Sequence, residues 1–218
     1  MFIVDFDDTL FDTQALKQAR LEAVQQLGVS EEEYWESYRE ARNSHDGLFT
    51  YSDERHAEVL GARGYSRDEV LFQLKTTTGD MLPDFLFPDT IPFLQDLKKY
   101  QQPMILLSLG NPGFQKLKTE GAGVNPYFDQ IYMVHDTKRH VLEQLFARND
   151  VDNTVWFIND KVAETKDLAQ EFPGLKPILK KSDRSSDEEY RQSGFPFFET
   201  LKQVGEYLQL HIPPYESR

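Results

Sequence analysis

Phe2-Ile3-Val4-Asp5-Phe6-Asp7-Asp8-Thr9-Leu10 is a short apolar run that ends in three aspartates within four residues. The run Phe2–Asp5 reads as a buried strand, with the acidic cluster at its carboxyl end. In open α/β sheets, ligands bind beyond the carboxyl ends of the strands, where the winding of the sheet reverses. Three carboxylates crowded at such a place repel one another. A hard divalent cation held by oxygen ligands relieves that repulsion, and Mg²⁺ suits carboxylates that work beside a phosphate. A carboxylate can also act as a covalent nucleophile towards phosphorus. The simpler reading is an acidic loop in which Asp8 or Asp12 caps the next element. An EF-hand fits poorly, because the loop glycine and terminal glutamate are missing.

Four more apolar runs read as strands: Met104–Ser108, Gln130–Val134, Thr154–Ile158 and Lys176–Leu179. Continuous apolarity, rather than alternation, indicates burial on both faces, as in a parallel sheet covered by helices. Helical patterns lie between the later strands. Phe114 and Leu117 mark one, entered through Asn111 as N-cap and Pro112 at the first helical position. Val141, Leu142, Leu145 and Phe146 mark the next, and Val162 to Ala169 a third. This alternation predicts an α/β domain with a doubly wound parallel sheet. Ser182–Ser193 is polar and reads as an exposed loop, before a helix carrying Leu201, Val204 and Leu208 and a Pro213-Pro214 tail.

The first crossover breaks the pattern. About a hundred residues separate the first two strands, far more than one crossover helix needs. That helix is expected at Ile91–Lys99, which leaves an insertion. The insertion reads as about four helices: Leu16 to Leu27, stopping at Gly28; one opened by a Ser30/Glu33 capping box; Asp53 to Leu60; and one opened by Ser66/Glu69. The expected division is a Rossmann-like core of residues 1–13 and 87–218, with a helical cap of residues 14–86.

Three further places on the core carry chemistry-bearing residues. Ser108, before Leu109-Gly110-Asn111-Pro112-Gly113, puts a hydroxyl and free backbone N–H groups at a strand end, which suits a phosphate. Lys138 follows Asp136 and Thr137, which look like N-cap residues, and so falls in a first helical turn where the dipole disfavours a cation. Asp160 ends a strand, and Glu164, one turn later, shares its face. Each feature alone also has an ordinary structural explanation. Together they fall at the carboxyl ends of four predicted strands, or just beyond, so a parallel sheet would gather them on one rim. An acid cluster, a hydroxyl, a lysine and another acid suit phosphoryl transfer.

The set resembles the haloacid dehalogenase superfamily. Asp5-Phe6-Asp7-Asp8-Thr9-Leu10 matches its DxDxT motif, Ile105-Leu106-Leu107-Ser108 its second, Lys138 its lysine, and Asn159-Asp160 with Glu164 its acidic fourth motif. The insertion lies where members with a C1 cap carry theirs. The resemblance implies Asp5 as the nucleophile that forms an aspartyl phosphate, and Asp7 as general acid and then base. It implies Mg²⁺ between the Asp5 carboxylate, the Asp7 main-chain carbonyl and Asp160. Ser108, Leu109 and Lys138 would bind the phosphate, with Thr9 and Glu164 in support. Lys116 and Lys161 remain alternatives for the lysine. Asn159 stands where glycine is common, Glu164 where aspartate is usual, and Arg139 where proline is frequent. Members that expel a halide lack the second aspartate, whereas an alkoxide leaving group needs a general acid. The expected activity is therefore Mg²⁺-dependent hydrolysis of a small phosphorylated metabolite. A phosphomutase and a non-catalytic phosphate-binding or regulatory protein are the alternatives.

Composition narrows the partners. Lys and Arg total 24 against 37 Asp and Glu, a net charge of −13. That balance speaks against nucleic acid and anionic membranes as partners, and leaves room for a small anionic substrate in one pocket. There is no cysteine, which excludes disulfides, thiol catalysis and cysteine-ligated zinc. The five histidines form no HExxH pattern. No apolar run is long enough to span a bilayer and no signal-type stretch is present, so a cytoplasmic location is expected. Arg39, Arg42, His45, Arg55 and His56 are the insertion residues that could meet a substrate, with the stretch from Asn43 to Gly47 as a loop facing the core. Nothing in the sequence sets an oligomeric state.

Overall fold

The computed structural model describes residues 1–43, 47–79, 81–148 and 154–212; Ser44, His45, Asp46 and the Pro213-Pro214 tail lie outside the described residues. Six strands form one sheet: β1 (Phe2–Val4), β2 (Met104–Leu109), β3 (Gln130–Val134), β4 (Val155–Asn159), β5 (Leu175–Lys180) and β6 (Phe197–Phe198). Their order is β3-β2-β1-β4-β5-β6, and each neighbouring pair is parallel. Val4 stands opposite Leu106 on one side and Ile158 on the other. The winding reverses at β1, which puts the ligand crevice at the end of the strand that carries Asp5.

The central strands are buried on both faces, which is why they read as unbroken apolar runs. Phe2, Val4, Leu106 and Ile158 join one core with residues of α5 (Thr90–Lys98) and α10 (Leu201–His211). Ile3, Ile105, Leu107 and Phe157 join the other with residues of α7 (Arg139–Arg148) and α8 (Val162–Glu171). The stretch expected as a loop at Ser182–Ser193 instead contains α9 (Asp187–Ser193), opened by a Ser186/Glu189 capping box. Its one apolar side chain, Tyr190, packs on Val162 and Leu179. A helix with a single buried residue shows no periodicity, and β6, at two residues, is too short to read.

Four helices fill the chain between β1 and α5: α1 (Thr13–Gln25), α2 (Glu31–Arg42), α3 (Asp53–Ala62) and α4 (Arg67–Thr77). They share a hydrophobic cluster of their own, built on Leu21, Val24, Tyr34, Leu60, Val70 and Leu74. The Ser30/Glu33 capping box is complete, whereas Ser66 only accepts from the Glu69 N–H. A 3₁₀ turn, Leu82–Phe85, leads back to the core and runs so close to Gly121 that an added Cβ would lie 2.4 Å from Leu82 Cδ1. Among the described residues no helix is long and apolar enough to cross a membrane.

Two buried polar contacts tie the insertion together. Arg20 on α1 pairs with Asp53 at the start of α3, and Asp53 also accepts from Thr78 Oγ1 at 2.9 Å. His56, fully buried, sits between Ser37 Oγ at 2.9 Å and Tyr51 Oη at 3.0 Å. Burial, reinforced by the charges of Arg20 and Arg63, pushes the imidazole down to about 3. His56 is therefore neutral in the fold, while in the unfolded chain it takes up a proton below about pH 6.5. Its contribution to stability is present above that pH and is lost as pH falls towards 3. In urea titrations between pH 6 and 4, the parent should lose about 1.4 kcal/mol per pH unit more than His56→Gln. Parallel pH profiles would show that His56 is already charged in the fold.

Candidate active site

The polypeptide turns sharply after β1. Asp8 takes the left-handed conformation at φ 58°, which aspartate tolerates better than most residues. The turn leaves Asp5, Asp7 and Asp8 buried at the sheet edge. Each is tied to a cation from a different part of the chain.

Asp5 accepts from Lys138 Nζ at 2.7 Å and from Thr9 Oγ1 at 3.4 Å. Lys138 also donates to Glu164 Oε2 at 2.8 Å and to Asn159 Oδ1 at 3.2 Å. It is fully buried, and although burial disfavours its charge, Asp5 and Glu164 hold the ammonium above its ordinary value. Glu164 is likewise opposed by burial but brought down to about 2, chiefly by Lys138. Lys138 was expected inside the first turn of a helix. It stands one residue before α7, at the cap position, where its carbonyl accepts from the Leu142 N–H, and it is Asp5 and Glu164 that offset its charge there. Of the alternative lysines, Lys116 pairs with Glu120 at 3.7 Å, and Lys161 acts on Asp5 only through its charge.

Asp7 is held by α6 (Pro112–Gly121), whose N-cap is Asn111 as expected. Lys118 donates to Asp7 Oδ1, Gln115 Nε2 to Oδ2 at 2.6 Å, and Thr13 Oγ1 to Oδ1 at 2.7 Å. Burial works against the charge, yet Lys118, Gln115 and Thr13 hold the carboxyl far below the usual carboxylate range. The expected face of α6 was Phe114 and Leu117. The helix instead exposes Leu117 and buries Gln115, Lys118 and Thr119. Those three stand at i, i+3 and i+4, a polar stripe at helical spacing, of which Gln115 and Lys118 reach Asp7 and Thr119 bonds back to the Lys116 carbonyl. The stripe is legible in the sequence, in a helix that directly follows Ser108.

Asp160 lies between β4 and α8 and does not cap the helix; Lys161 occupies the cap position without a side-chain bond. Asp160 Oδ2 accepts from Ser182 Oγ at 3.1 Å and faces Arg184 Nε at 3.3 Å, and Arg184 also binds Asp8. Asp160 is pushed up to about 7, first by burial and then by the Asp5 charge, against the pull of Lys161 and Arg184. Its other oxygen, Oδ1, is buried without a partner, and so is Ser108 Oγ at the end of β2. Gln115 Oε1, on the residue that binds Asp7, is buried without a partner as well, and buried polar atoms of this kind need an explanation. The Asp160 oxygen is an acceptor suited to a divalent cation, the Ser108 hydroxyl a donor suited to a phosphate oxygen. A carboxylate whose proton affinity is raised by a neighbouring carboxylate is one whose charge a cation relieves.

Above these residues lies a pocket of about 270 Å³ between α1, α2 and the core, into which Asp7, Leu109 and Lys118 face. Arg39 and Arg42 line it. His56 does not, being enclosed in the insertion, and Arg55 pairs with Glu58 instead.

A family model of haloacid dehalogenase-like hydrolases matches residues 1–148, and the chain belongs to that family. Solved structures share the fold at low identity. The HAD-family protein YfnB of Bacillus subtilis, described as bound to magnesium, is 16% identical with a TM-score of 0.60, over 95% of this chain and 97% of that one. A Thermotoga maritima protein assigned as a beta-phosphoglucomutase is 14% identical with a TM-score of 0.66, over 96% and 98%. The 2-haloacid dehalogenase of Pseudomonas syringae pv. tomato DC3000 is 20% identical with a TM-score of 0.60, over 96% and 98%. Among curated proteins no sequence matches significantly.

Removing one member of a buried ion-pair network leaves the others uncompensated, at a cost of about 3–5 kcal/mol. Lys138→Met should therefore lower the unfolding free energy at pH 8 by about 3–5 kcal/mol in urea titration. A loss below about 1 kcal/mol would mean that Asp5 and Glu164 have another counter-charge.

Proposed function

We propose that the protein is a Mg²⁺-dependent hydrolase of small phosphomonoesters, working through an aspartyl phosphate on Asp5. The observation that carries this reading is the pair of unpartnered buried atoms, Ser108 Oγ and Asp160 Oδ1, in a network whose other charges are matched. One is a donor suited to a phosphate oxygen, the other an acceptor suited to a cation. Asp5, Asp160 and the Asp7 carbonyl would hold the metal, which supplies positive charge against the phosphoryl oxygens and Asp5.

In the first step a carboxylate oxygen of Asp5 bonds to phosphorus, the bond from phosphorus to the ester oxygen breaks, and that oxygen takes a proton. Ser108 and Lys138 hold the phosphoryl oxygens as charge shifts towards the leaving group. Asp7 delivers the proton. Asp7 enters this step protonated, with a proton taken up from solvent, and in the second step it takes one back from the attacking water, so that it ends as it began. Water then bonds to phosphorus, the acyl phosphate bond breaks, and phosphate and Asp5 are regenerated.

Asp7 also separates this reading from dehalogenation. A departing halide needs no proton, and the bonds that Lys118, Gln115 and Thr13 make to Asp7 would then serve no chemical step.

The test is phosphate release from p-nitrophenyl phosphate and a panel of sugar phosphates, with and without Mg²⁺, beside chloride release from 2-chloropropionate. Phosphate release should require Mg²⁺ and fall at least about 10³-fold with Asp5→Asn, while Lys118→Met should cost about 10²- to 10⁴-fold. Chloride release that depends on Asp5, with no phosphate release, would overturn the reading. Transfer of the phosphoryl group to a second sugar position, in place of water, would redirect it to a mutase.

A further inference from the structure

We infer that the substrate carries a second anionic group besides its phosphoryl, a carboxylate or a second phosphate, bound by Lys17, Arg39 and Arg42 of the helical insertion. The inference rests on the proposed hydrolase reading and narrows its substrate class.

The argument is one of charge balance around the pocket. The chain as a whole is strongly acidic, yet among the described residues seven Lys or Arg side chains line this cavity and Asp7 is the one acid with them. The core cations are answered by core acids: Lys118 binds Asp7, and Arg184 binds Asp8 and faces Asp160. The charge of Lys161 falls on Asp5, Asp160 and Glu164. Arg20 is neutralised by Asp53.

Lys17, Arg39 and Arg42 differ. Among the described residues none of them has a carboxylate within ion-pair distance, and Lys17 and Arg42 are half-buried. Aromatic rings form their walls: the Arg42 guanidinium lies 4.3 Å over Phe49, and Lys17 Nζ 5.4 Å from the Tyr38 ring centre. The cost of gathering these charges is visible at Lys17, which burial and the nearby Arg184 and Arg42 push down to about 8 against the pull of Asp8 and Asp7, neither of which comes within ion-pair distance of it.

Helix electrostatics accounts for only part of the set. Arg39 and Arg42 stand in the last turn of α2, where the dipole favours cations, but Lys17 lies in the second turn of α1 and gains nothing from it. The phosphoryl does not account for the set either. Its expected donors, Ser108 and Lys138, are buried and do not line this pocket, and Lys138 is held by Asp5. An anion held by these three side chains would neutralise the excess, and two arginines one turn apart on one helix face offer it planar donor forks. The cavity volume suits a small metabolite rather than a polymer.

The test compares matched esters: ethyl phosphate, 2-phosphoglycolate, which adds a carboxylate, and ethylene glycol bisphosphate, which adds a phosphate. Turnover is measured with the parent and with Arg39→Met/Arg42→Met, and equilibrium binding with Asp5→Asn, which holds ligand without consuming it. One or both of the doubly anionic esters should exceed ethyl phosphate about 10- to 100-fold in kcat/KM and in affinity. The ester that does so identifies the second group, and the ratio should collapse towards one in the double variant. Ratios near one for both esters in the parent, or a preference that survives in the double variant, would overturn the proposal and leave the hydrolase reading standing. A binding preference without turnover of any ester would support the anion subsite and count against the hydrolase.

Discussion

A carboxylate at the buried end of a central strand carries a charge that water cannot reach, and the ammonium of Lys138 is what makes Asp5 tolerable there. Much of the core architecture is committed to that contact. Asp5 comes from the end of β1, Lys138 from the connection between β3 and α7, and Glu164 from the first turn of α8. Asn159, the last residue of β4, accepts from Lys138 and donates to both Glu164 and Thr165 at 3.0 Å. A polar network of this kind gains from each bond only when every member is satisfied, so strand order and register are under demand from the site as well as from the core.

The same logic extends along the rim. Asp7 and Asp8 are each matched by a cation from a distant segment, Lys118 and Arg184. The acidic cluster that opens the chain is therefore close to neutral in the fold. Against that background the unpartnered Ser108 Oγ and Asp160 Oδ1 stand out, together with Gln115 Oε1, whose amide nitrogen already serves Asp7. Neither Ser108 nor Asp160 fills a capping role, since Asn111 caps α6 and Lys161 occupies the cap position of α8. A stability argument alone would have removed them, because an unpaired buried polar group costs free energy and an apolar replacement does not.

How much of this can be read in a sequence depends on how local the signal is. The strands announce themselves by continuous apolarity, and the five expected ones appear within a residue or so of their expected limits. The helical insertion is legible because capping serines and helical spacing are short-range features. Asp5, Ser108, Lys138 and Asp160 attract notice for a related reason: each stands at or just past a strand end, and a parallel sheet gathers such ends. The partners of the acids are a different matter. Gln115 and Lys118 meet Asp7 across 108 and 111 residues, and Arg184 meets Asp8 across 176. Nothing local marks Arg184, which lies in a charged stretch resembling any solvated loop. For α6 a local sign existed, a polar stripe in a helix directly after Ser108, but apolar residues are the ordinary guide to a buried face, and here that face is turned to a site.

One helix joins the chemistry to the pocket. Thr13, the first residue of α1, donates from its hydroxyl to Asp7 and from its backbone N–H to Asp8 at 3.1 Å. Lys17 stands one turn further along the same face, about 6 Å up the axis, and faces the pocket. The insertion is thus anchored on the acids themselves rather than merely resting above them. An anion drawn to Lys17 would bear on α1, and through Thr13 on the position of Asp7. Lys17 stands on the helix whose first residue is hydrogen-bonded to Asp7. Discrimination among substrates would then appear in the rate of the chemical step as well as in binding, since a ligand lacking the second charge leaves α1, and with it Asp7, less firmly held.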